Sequence, residues 1–113
     1  MTKKNHYCPE HSVRLVREQT VWGPKYVCPV DGCTVLCWGG KTSTPANQET
    51  RTARHQAHEA FDPLWKKGAA NRRELYHQLA SFMGLEVKAT HIGMFDVEQC
   101  RRVLDFVNEW NAD

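Results

Sequence analysis

Two short stretches decide the fold of this chain: Cys8-Pro9-Glu10-His11 and Cys28-Pro29-Val30-Asp31-Gly32-Cys33. They place four thiol or imidazole ligands in two close pairs, spaced Cys-x2-His and Cys-x4-Cys. Zn²⁺ prefers four tetrahedral ligands of these types, and two such knuckles joined by a hairpin supply them. A proline follows the first cysteine of each pair, and Gly32 can adopt the positive φ that a tight knuckle often needs. The pattern predicts one structural Zn²⁺ bound by Cys8, His11, Cys28 and Cys33.

Other residues compete for a place in this ligand set. Cys37 lies four residues after Cys33 and can replace His11, and His6 is a more distant candidate. Cys100 falls on the apolar face of a predicted helix, where a buried core thiol is expected. Four protein ligands leave no open position for water, so we predict a structural rather than a catalytic metal.

Composition narrows the class of protein. Apolar residues make up 41% of the 113 residues and charged residues 25%, as in ordinary globular proteins. Five cysteines, an odd number, argue against a closed disulfide framework and suit a metal site with spare thiols. Because no long apolar run and no signal peptide is evident, we expect a soluble, cytoplasmic protein without a membrane partner.

The net charge of +2 conceals an uneven distribution. Residues 1–40 hold five basic against three acidic residues, and residues 41–73 hold seven against three. Residues 74–113 reverse this, with three basic and seven acidic residues. The N-terminal and middle parts are therefore candidates for an anionic partner, and the tail is not.

Hydrophobic patterning predicts an α+β fold. Val13–Arg17 alternates as a strand does, Gly23-Pro24 indicates a turn, and 34–38 reads as a third strand. Residues 1–42 are thus predicted to form a zinc ribbon of three short antiparallel strands. Residues 43–113 are predicted to form three or four helices packed on the ribbon, giving one compact domain overall.

The helices are placed by caps and apolar periodicity. The first is expected to start between Thr44 and Asn47, and Asp62-Pro63 is expected to end or kink it. Asn71 and Asp96 are predicted N-caps of two later helices. The predicted core residues of the helical part share a 3.6-residue period. They are Trp65, Leu75, Leu79, Phe82, Val103, Leu104, Val107 and Trp110.

Several motifs together resemble a zinc-finger-containing domain family of unknown function whose members are frequent in bacteriophage and prophage genomes. The resemblance covers roughly residues 7–107. Near the N-terminus it is carried by Cys28-Pro29 with Cys33, by Lys41 and by Thr44-Pro45. The middle of the chain matches in Arg51-x2-Arg54-x2-Ala57-His58-x2-Phe61-Asp62-Pro63-Leu64-Trp65. The C-terminal part matches in Tyr76-x2-Leu79-Ala80 with Gly84 and in His91-Ile92-Gly93-Met94-Phe95-Asp96 with Cys100-x2-Val103. The family usually has Cys-x2-Cys in the first knuckle, where this chain has His11. The resemblance implies zinc and a viral setting but no activity.

Basic and aromatic residues favour nucleic-acid binding through phosphate contacts and base stacking, without catalysis. The basic candidates lie on the ribbon and the middle helices: Arg14, Arg17, Lys25, Lys41, Arg51, Arg54, His55, Lys66, Lys67, Arg72 and Arg73. Possible stacking residues are Trp22, Tyr26 and Trp38. Alternatively, Arg51 and Arg54 pair with the acidic C-terminal helix and only hold the fold together.

Two other functions stay open. The chain can be a protein-binding module that docks on a host transcription or defence complex, with Trp22 or Trp38 supplying the affinity. It can also be a metal-dependent nuclease or hydrolase that uses His58 and Asp62, four residues apart, although no third ligand is evident.

Overall fold

A computed structural model describes residues 7–39, 44–68 and 70–112. Three strands precede three helices in chain order: β1 (Val16–Thr20), β2 (Gly23–Val27), β3 (Leu36–Trp38), α1 (Gln48–Lys66), α2 (Arg72–Met83) and α3 (Val97–Ala112). Two 3₁₀ turns, Val87–Ala89 and Ile92–Met94, lie between α2 and α3. The predicted α+β fold, with a three-stranded ribbon followed by helices, is confirmed.

The chain divides into two compact units, Met1–Arg51 and Thr52–Asp113, and the division falls within α1. The predicted subdomain boundary at residues 42–43, and the packing of both parts as one domain, stay predictions. In the described part of the chain, no helix has the length and apolar character needed to cross a membrane.

The first unit is built on an antiparallel sheet in the order β1-β2-β3. The turn between β1 and β2 is formed by Val21 and Trp22. The prediction of a turn at Gly23-Pro24 was wrong, because these two residues begin β2. The Thr20 hydroxyl fixes the position of the turn, since Oγ1 donates to the Gly23 carbonyl (2.7 Å) and accepts from the Trp22 N–H (3.1 Å). Pro24 is tolerated within β2 because it pairs with β1 only, and the register with β3 begins at Lys25.

The core of the ribbon is small. Its five buried side chains are Cys8, Leu15, Cys28, Val35 and Cys37, of which three are cysteines. Two aliphatic side chains bury too little apolar surface to offset the entropy of ordering about thirty residues. A metal that joins the two knuckles is therefore expected to contribute folding free energy.

The second unit has a larger apolar core, built on the helices and on the segment before α3. Its buried members are Ala57, Phe61, Leu64, Leu75, Leu79, Ile92, Phe95, Cys100, Val103, Phe106 and Val107. Trp65, Phe82 and Trp110 pack against it, as predicted. Leu104 was assigned to this core wrongly: it is half-buried, and Phe106 is buried in its place.

The helix ends follow local chemistry. Asn71 Oδ1 accepts from the N–H groups of Arg73 and Glu74, which caps α2. Asp96 and Gln99 form a reciprocal capping box at the start of α3, with separations of 3.0 and 2.7 Å. An end or a kink of α1 was predicted at Asp62-Pro63; the end is wrong, because α1 continues to Lys66 with Pro63 inside it.

Candidate metal centre

The first knuckle holds Cys8 and His11 by backbone hydrogen bonds. The Ser12 N–H donates to the Cys8 carbonyl (2.8 Å), and the Cys8 N–H donates to the Val13 carbonyl (2.8 Å). These bonds require a left-handed residue, and Ser12 has a φ of 56°. A β-bridge between Tyr7 and Arg14 closes the loop. Backbone hydrogen bonds thus fix the path of the knuckle, and His11 is exposed at its tip.

The second knuckle spans Cys28 to Cys33. The Cys28 N–H donates to the Val35 carbonyl and the Cys33 N–H to the Val30 carbonyl, both at 3.1 Å. Gly32 has a φ of 82°, as predicted from its position before Cys33. The Val30 N–H points at the Cys28 sulfur, 3.5 Å away, as an N–H does towards a thiolate ligand.

The two knuckles bring Cys8, His11, Cys28 and Cys33 together, with all four ligand atoms within 4.8 Å of one another. Zn–S bonds of about 2.3 Å and Zn–N bonds of about 2.0 Å require tetrahedral edges of about 3.8 Å between sulfurs and about 3.5 Å between sulfur and nitrogen. The Cys8 and Cys33 sulfurs are 3.7 Å apart. His11 Nδ1 lies 3.5 Å from the Cys8 sulfur and 3.7 Å from the Cys28 sulfur. The donor atoms therefore fit a tetrahedral Zn²⁺.

The protonation of the thiols follows from their crowding. Burial opposes ionisation of Cys8, but hydrogen bonds from the His11 side chain and from nearby backbone N–H groups lower its pKa to about 7. At Cys33 the Val35 N–H favours the thiolate, yet burial and the neighbouring Cys28 and Cys8 raise its pKa to about 11. Three sulfurs in this space resist joint ionisation, and a divalent cation removes that repulsion.

The family assignment rests on this geometry and on one comparison. A family model described as a zinc-finger-containing domain matches residues 2–110. The chain belongs to this family. Comparison with the curated proteins and with the solved structures gave no match. The family description and the four converging ligands agree, so the chain has one structural zinc site.

The other residues considered as zinc ligands do not replace any of these four. Cys37 is not in the four-residue group; it is buried in the ribbon core, and its thiol donates to the Trp38 carbonyl (3.2 Å). His11 therefore keeps its predicted place. His6 lies outside the described residues. Cys100 is buried in the helical unit, where burial raises its pKa to about 11, as expected of a core thiol.

Of the ribbon candidates for nucleic-acid binding, Arg14 and Arg17 are exposed and Lys25 is half-buried, and all three contact other side chains. Arg14 lies 5.7 Å from the centroid of the Tyr7 ring, and Arg17 donates to Gln19 (3.0 Å). Lys25 lies 3.8 Å from Glu18 and 5.9 Å from the centroid of Trp38.

Of the three aromatic candidates, Trp22 at the turn is 84% exposed and Trp38 is 40% exposed, whereas Tyr26 packs on the ribbon core. Trp22 is thus the freest to meet a partner. The candidate Lys41 lies outside the described residues.

Arg51 and Arg54 are bound to backbone carbonyls. Arg51 Nη2 donates to the Thr34 carbonyl (2.6 Å), and burial lowers the pKa of its guanidinium. Arg54 is buried, and its Nε donates to the Phe95 carbonyl (2.7 Å). The expectation that this pair presents itself to phosphates conflicts with the burial of Arg54. His55 on the same helix is exposed, 3.4 Å from Glu59.

Lys66, Lys67, Arg72 and Arg73 are all exposed, around the end of α1 and the start of α2. Trp65 was predicted as a core residue, and its contact with these cations was not predicted. The Arg72 guanidinium lies 5.3 Å from the centroid of Trp65 and 5.0 Å from that of Tyr76. The spacing of Arg72 and Tyr76, four residues apart on a helix, was the available sequence signal.

His58 and Asp62, the candidate acid/base pair, contact each other and a neighbouring side chain. His58 Nδ1 lies 3.5 Å from Asp62, and the Trp65 indole N–H donates to the other carboxylate oxygen of Asp62 (3.3 Å). Across residues 7–39, 44–68 and 70–112, the ribbon ligands are the only group of three or more side chains placed to hold a metal. His58 and Asp62 thus gain no third ligand there.

Proposed function

We propose that the protein binds nucleic acid, without chemical turnover, through a basic surface formed by Lys66, Lys67, Arg72 and Arg73. One observation carries this proposal: among the described residues, no carboxylate lies within 4.0 Å of the charged nitrogens of these four side chains. Two other surface cations of this unit do have carboxylate partners, since Lys88 lies 3.4 Å from Glu86 and Arg101 lies 2.6 Å from Glu98. Cations without a carboxylate partner that are grouped on one surface favour an anionic partner.

The aromatic residues of the basic surface support the choice of nucleic acid over other anions. Lys66 lies 5.6 Å and Arg72 5.3 Å from the centroid of Trp65. An arginine held over an aromatic ring offers a flat, positively charged plane on which an unpaired base can stack. Phosphate contacts from the lysines and stacking on Arg72 together describe a single-stranded partner better than an acidic protein.

The ribbon can supplement this surface. Arg14 and Arg17 are exposed, and Trp22 extends from the turn. Its charge is weaker, because Lys25 lies beside Glu18. We therefore assign the main phosphate contacts to the basic surface.

A matched pair of variants tests the proposal. Each single-strand phosphate contact contributes about 0.7 to the slope of log K against log[salt], so loss of two contacts lowers that slope by about 1.4. We expect this change in Lys66→Gln/Lys67→Gln, measured by fluorescence anisotropy with a labelled single-stranded oligonucleotide. Lys88→Gln/Arg101→Gln removes the same charge from cations that already have partners, and we expect it to leave the slope unchanged.

Two results would contradict the proposal. One is no binding of single- or double-stranded DNA or RNA at low salt by the zinc-loaded protein. The other is an equal change of slope in the two double variants, which would mean that net charge and not the basic surface is responsible.

A specific observation favours one other function, a protein-binding module. Val21 and Trp22 are 89% and 84% exposed at the tip of the hairpin, and such apolar exposure is typical of a docking anchor. In that case Trp22→Ala abolishes capture of a partner from host lysate, and the captured complex resists high salt. Nucleic-acid binding that depends on salt and survives Trp22→Ala excludes this alternative as the main function.

A further inference from the structure

An open recess of about 480 Å³, which shares Arg72 and Arg73 with the basic surface, lies between the start of α2 and the segment before α3. Arg72, Arg73 and Tyr76 line it from α2, and Val87, Thr90 and His91 from the later segment. The volume falls within the range of about 300–1,000 Å³ that is usual for small-molecule sites. The recess is thus large enough for one nucleotide.

The charge of the recess selects an anion. Two guanidinium groups and an imidazole line it, and no described lining residue is acidic. A guanidinium binds a phosphate through two parallel hydrogen bonds. The first N–H groups of α2 do not provide the site, because Asn71 already accepts from those of Arg73 and Glu74. The anion must therefore be held by side chains.

The remaining lining suits the rest of a nucleotide. The half-buried ring of Tyr76 and the side chain of Val87, which is 39% exposed, offer apolar walls. Thr90 is buried, and its hydroxyl donates to the Glu86 carbonyl (2.7 Å), so it shapes the recess and does not donate into it. Burial raises the pKa of the Tyr76 phenol, whereas Arg72 lowers it. The hydroxyl is protonated at neutral pH in any case, so it can donate a hydrogen bond.

We propose that this recess binds a phosphate monoester on a nucleotide, as at a phosphorylated end of a nucleic-acid strand. This inference rests on the proposed function and names the feature of the strand that the site recognises. A terminal monoester carries a charge of about −1.5 to −2 at pH 7, whereas each internal diester carries one negative charge. Arg72 and Arg73 match the higher charge, and the imidazole of His91 can add a hydrogen bond.

The test compares one oligonucleotide with a 5′-phosphate, a 3′-phosphate or only hydroxyl ends, at constant salt. We expect about tenfold tighter binding of a phosphorylated form, the gain typical of a charge-assisted bidentate contact. His91→Gln and Arg73→Gln are expected to reduce this preference. His91→Gln leaves the affinity for the hydroxyl form within about twofold, because His91 is not part of the basic surface. Lys66→Gln/Lys67→Gln weakens all three forms by a common factor.

A second titration separates the two sources of the monoester and the two proposals. Nucleoside 5′- and 3′-monophosphates are added while amide resonances of residues 71–76 and 87–91 are followed by NMR. Shifts with a mononucleotide but no oligonucleotide binding would reject the proposed function and keep the recess, with free nucleotide as its ligand. Oligonucleotide binding with equal affinity for all three ends would support the proposed function and overturn this inference. The absence of shifts, together with the absence of any end preference, would also overturn this inference.

Discussion

At the scale of single residues, Cys37 and Cys28 are both buried thiols of the ribbon, yet only Cys28 faces the other zinc ligands. Cys28→Ser therefore removes a ligand, and we expect the variant to lose stoichiometric zinc when a chelator competes. Cys37→Ala removes packing and the thiol hydrogen bond to the Trp38 carbonyl but no ligand, and it is expected to cost about 1 kcal/mol while keeping one zinc per chain. Metal analysis after gel filtration measures both. Loss of zinc from Cys37→Ala alone would show that Cys37 is the ligand.

Arg54 illustrates a charged side chain used for structure. Its Nε bond to the Phe95 carbonyl is buried, so Arg54→Met leaves that carbonyl unpaired at a cost of about 1–3 kcal/mol. Arg101→Met is the control, because Arg101 is exposed and its ion pair with Glu98 contributes about 0–1 kcal/mol. Chemical denaturation of the zinc-loaded protein measures both. Equal small losses would mean that the buried bond is unimportant.

At the scale of elements, Pro63 lies inside α1, where it removes an N–H from the helix. Proline is about 3 kcal/mol less favourable than alanine in a helix interior, and its loss returns about 0.4–1 kcal/mol of freedom to the unfolded chain. Pro63→Ala is therefore expected to stabilise the helical unit by about 2 kcal/mol. Pro45→Ala, before the helix, is expected to destabilise slightly. Denaturant midpoints compare the two, and a loss of stability in Pro63→Ala would contradict this account.

Pro63 is an example of a feature that the sequence alone did not predict. Caps at Asn71 and Asp96 were predictable, because each depends on residues within one turn. Continuation of α1 through Pro63 was not, since burial of Leu64 in the core outweighs the local propensity. The turn at Val21-Trp22 was missed because Thr20 forms it, while Gly23-Pro24 offered the stronger local pattern. The spacing of the two pairs predicted the zinc ligands but left Cys37 open in place of His11, which the folded geometry decides. The burial of Arg54 depends on a carbonyl 41 residues away.

At the scale of the whole molecule, the two units differ in what stabilises them. The ribbon has five buried core side chains, three of them cysteines, and two of these are zinc ligands. Among the described residues, the core cluster of the helical unit has eleven buried side chains, including Phe61, Phe95 and Phe106. Burying a large apolar side chain contributes about 1.5–3 kcal/mol, so the helical core can offset its ordering entropy without a metal. The ribbon cannot.

Chelation is therefore expected to separate the two units. Removal of zinc should collapse the amide resonances of residues 7–39 into the narrow range of an unfolded chain, while those of residues 72–112 keep their dispersion. Readdition of Zn²⁺ should restore the ribbon signals, and Mg²⁺, which prefers six oxygen ligands, should not. The readout is a ¹H–¹⁵N spectrum of the full chain before and after a chelator. A ribbon that survives chelation would mean that its fold does not depend on the metal. Joint loss of both sets of signals would mean instead that the helical core is not stable on its own.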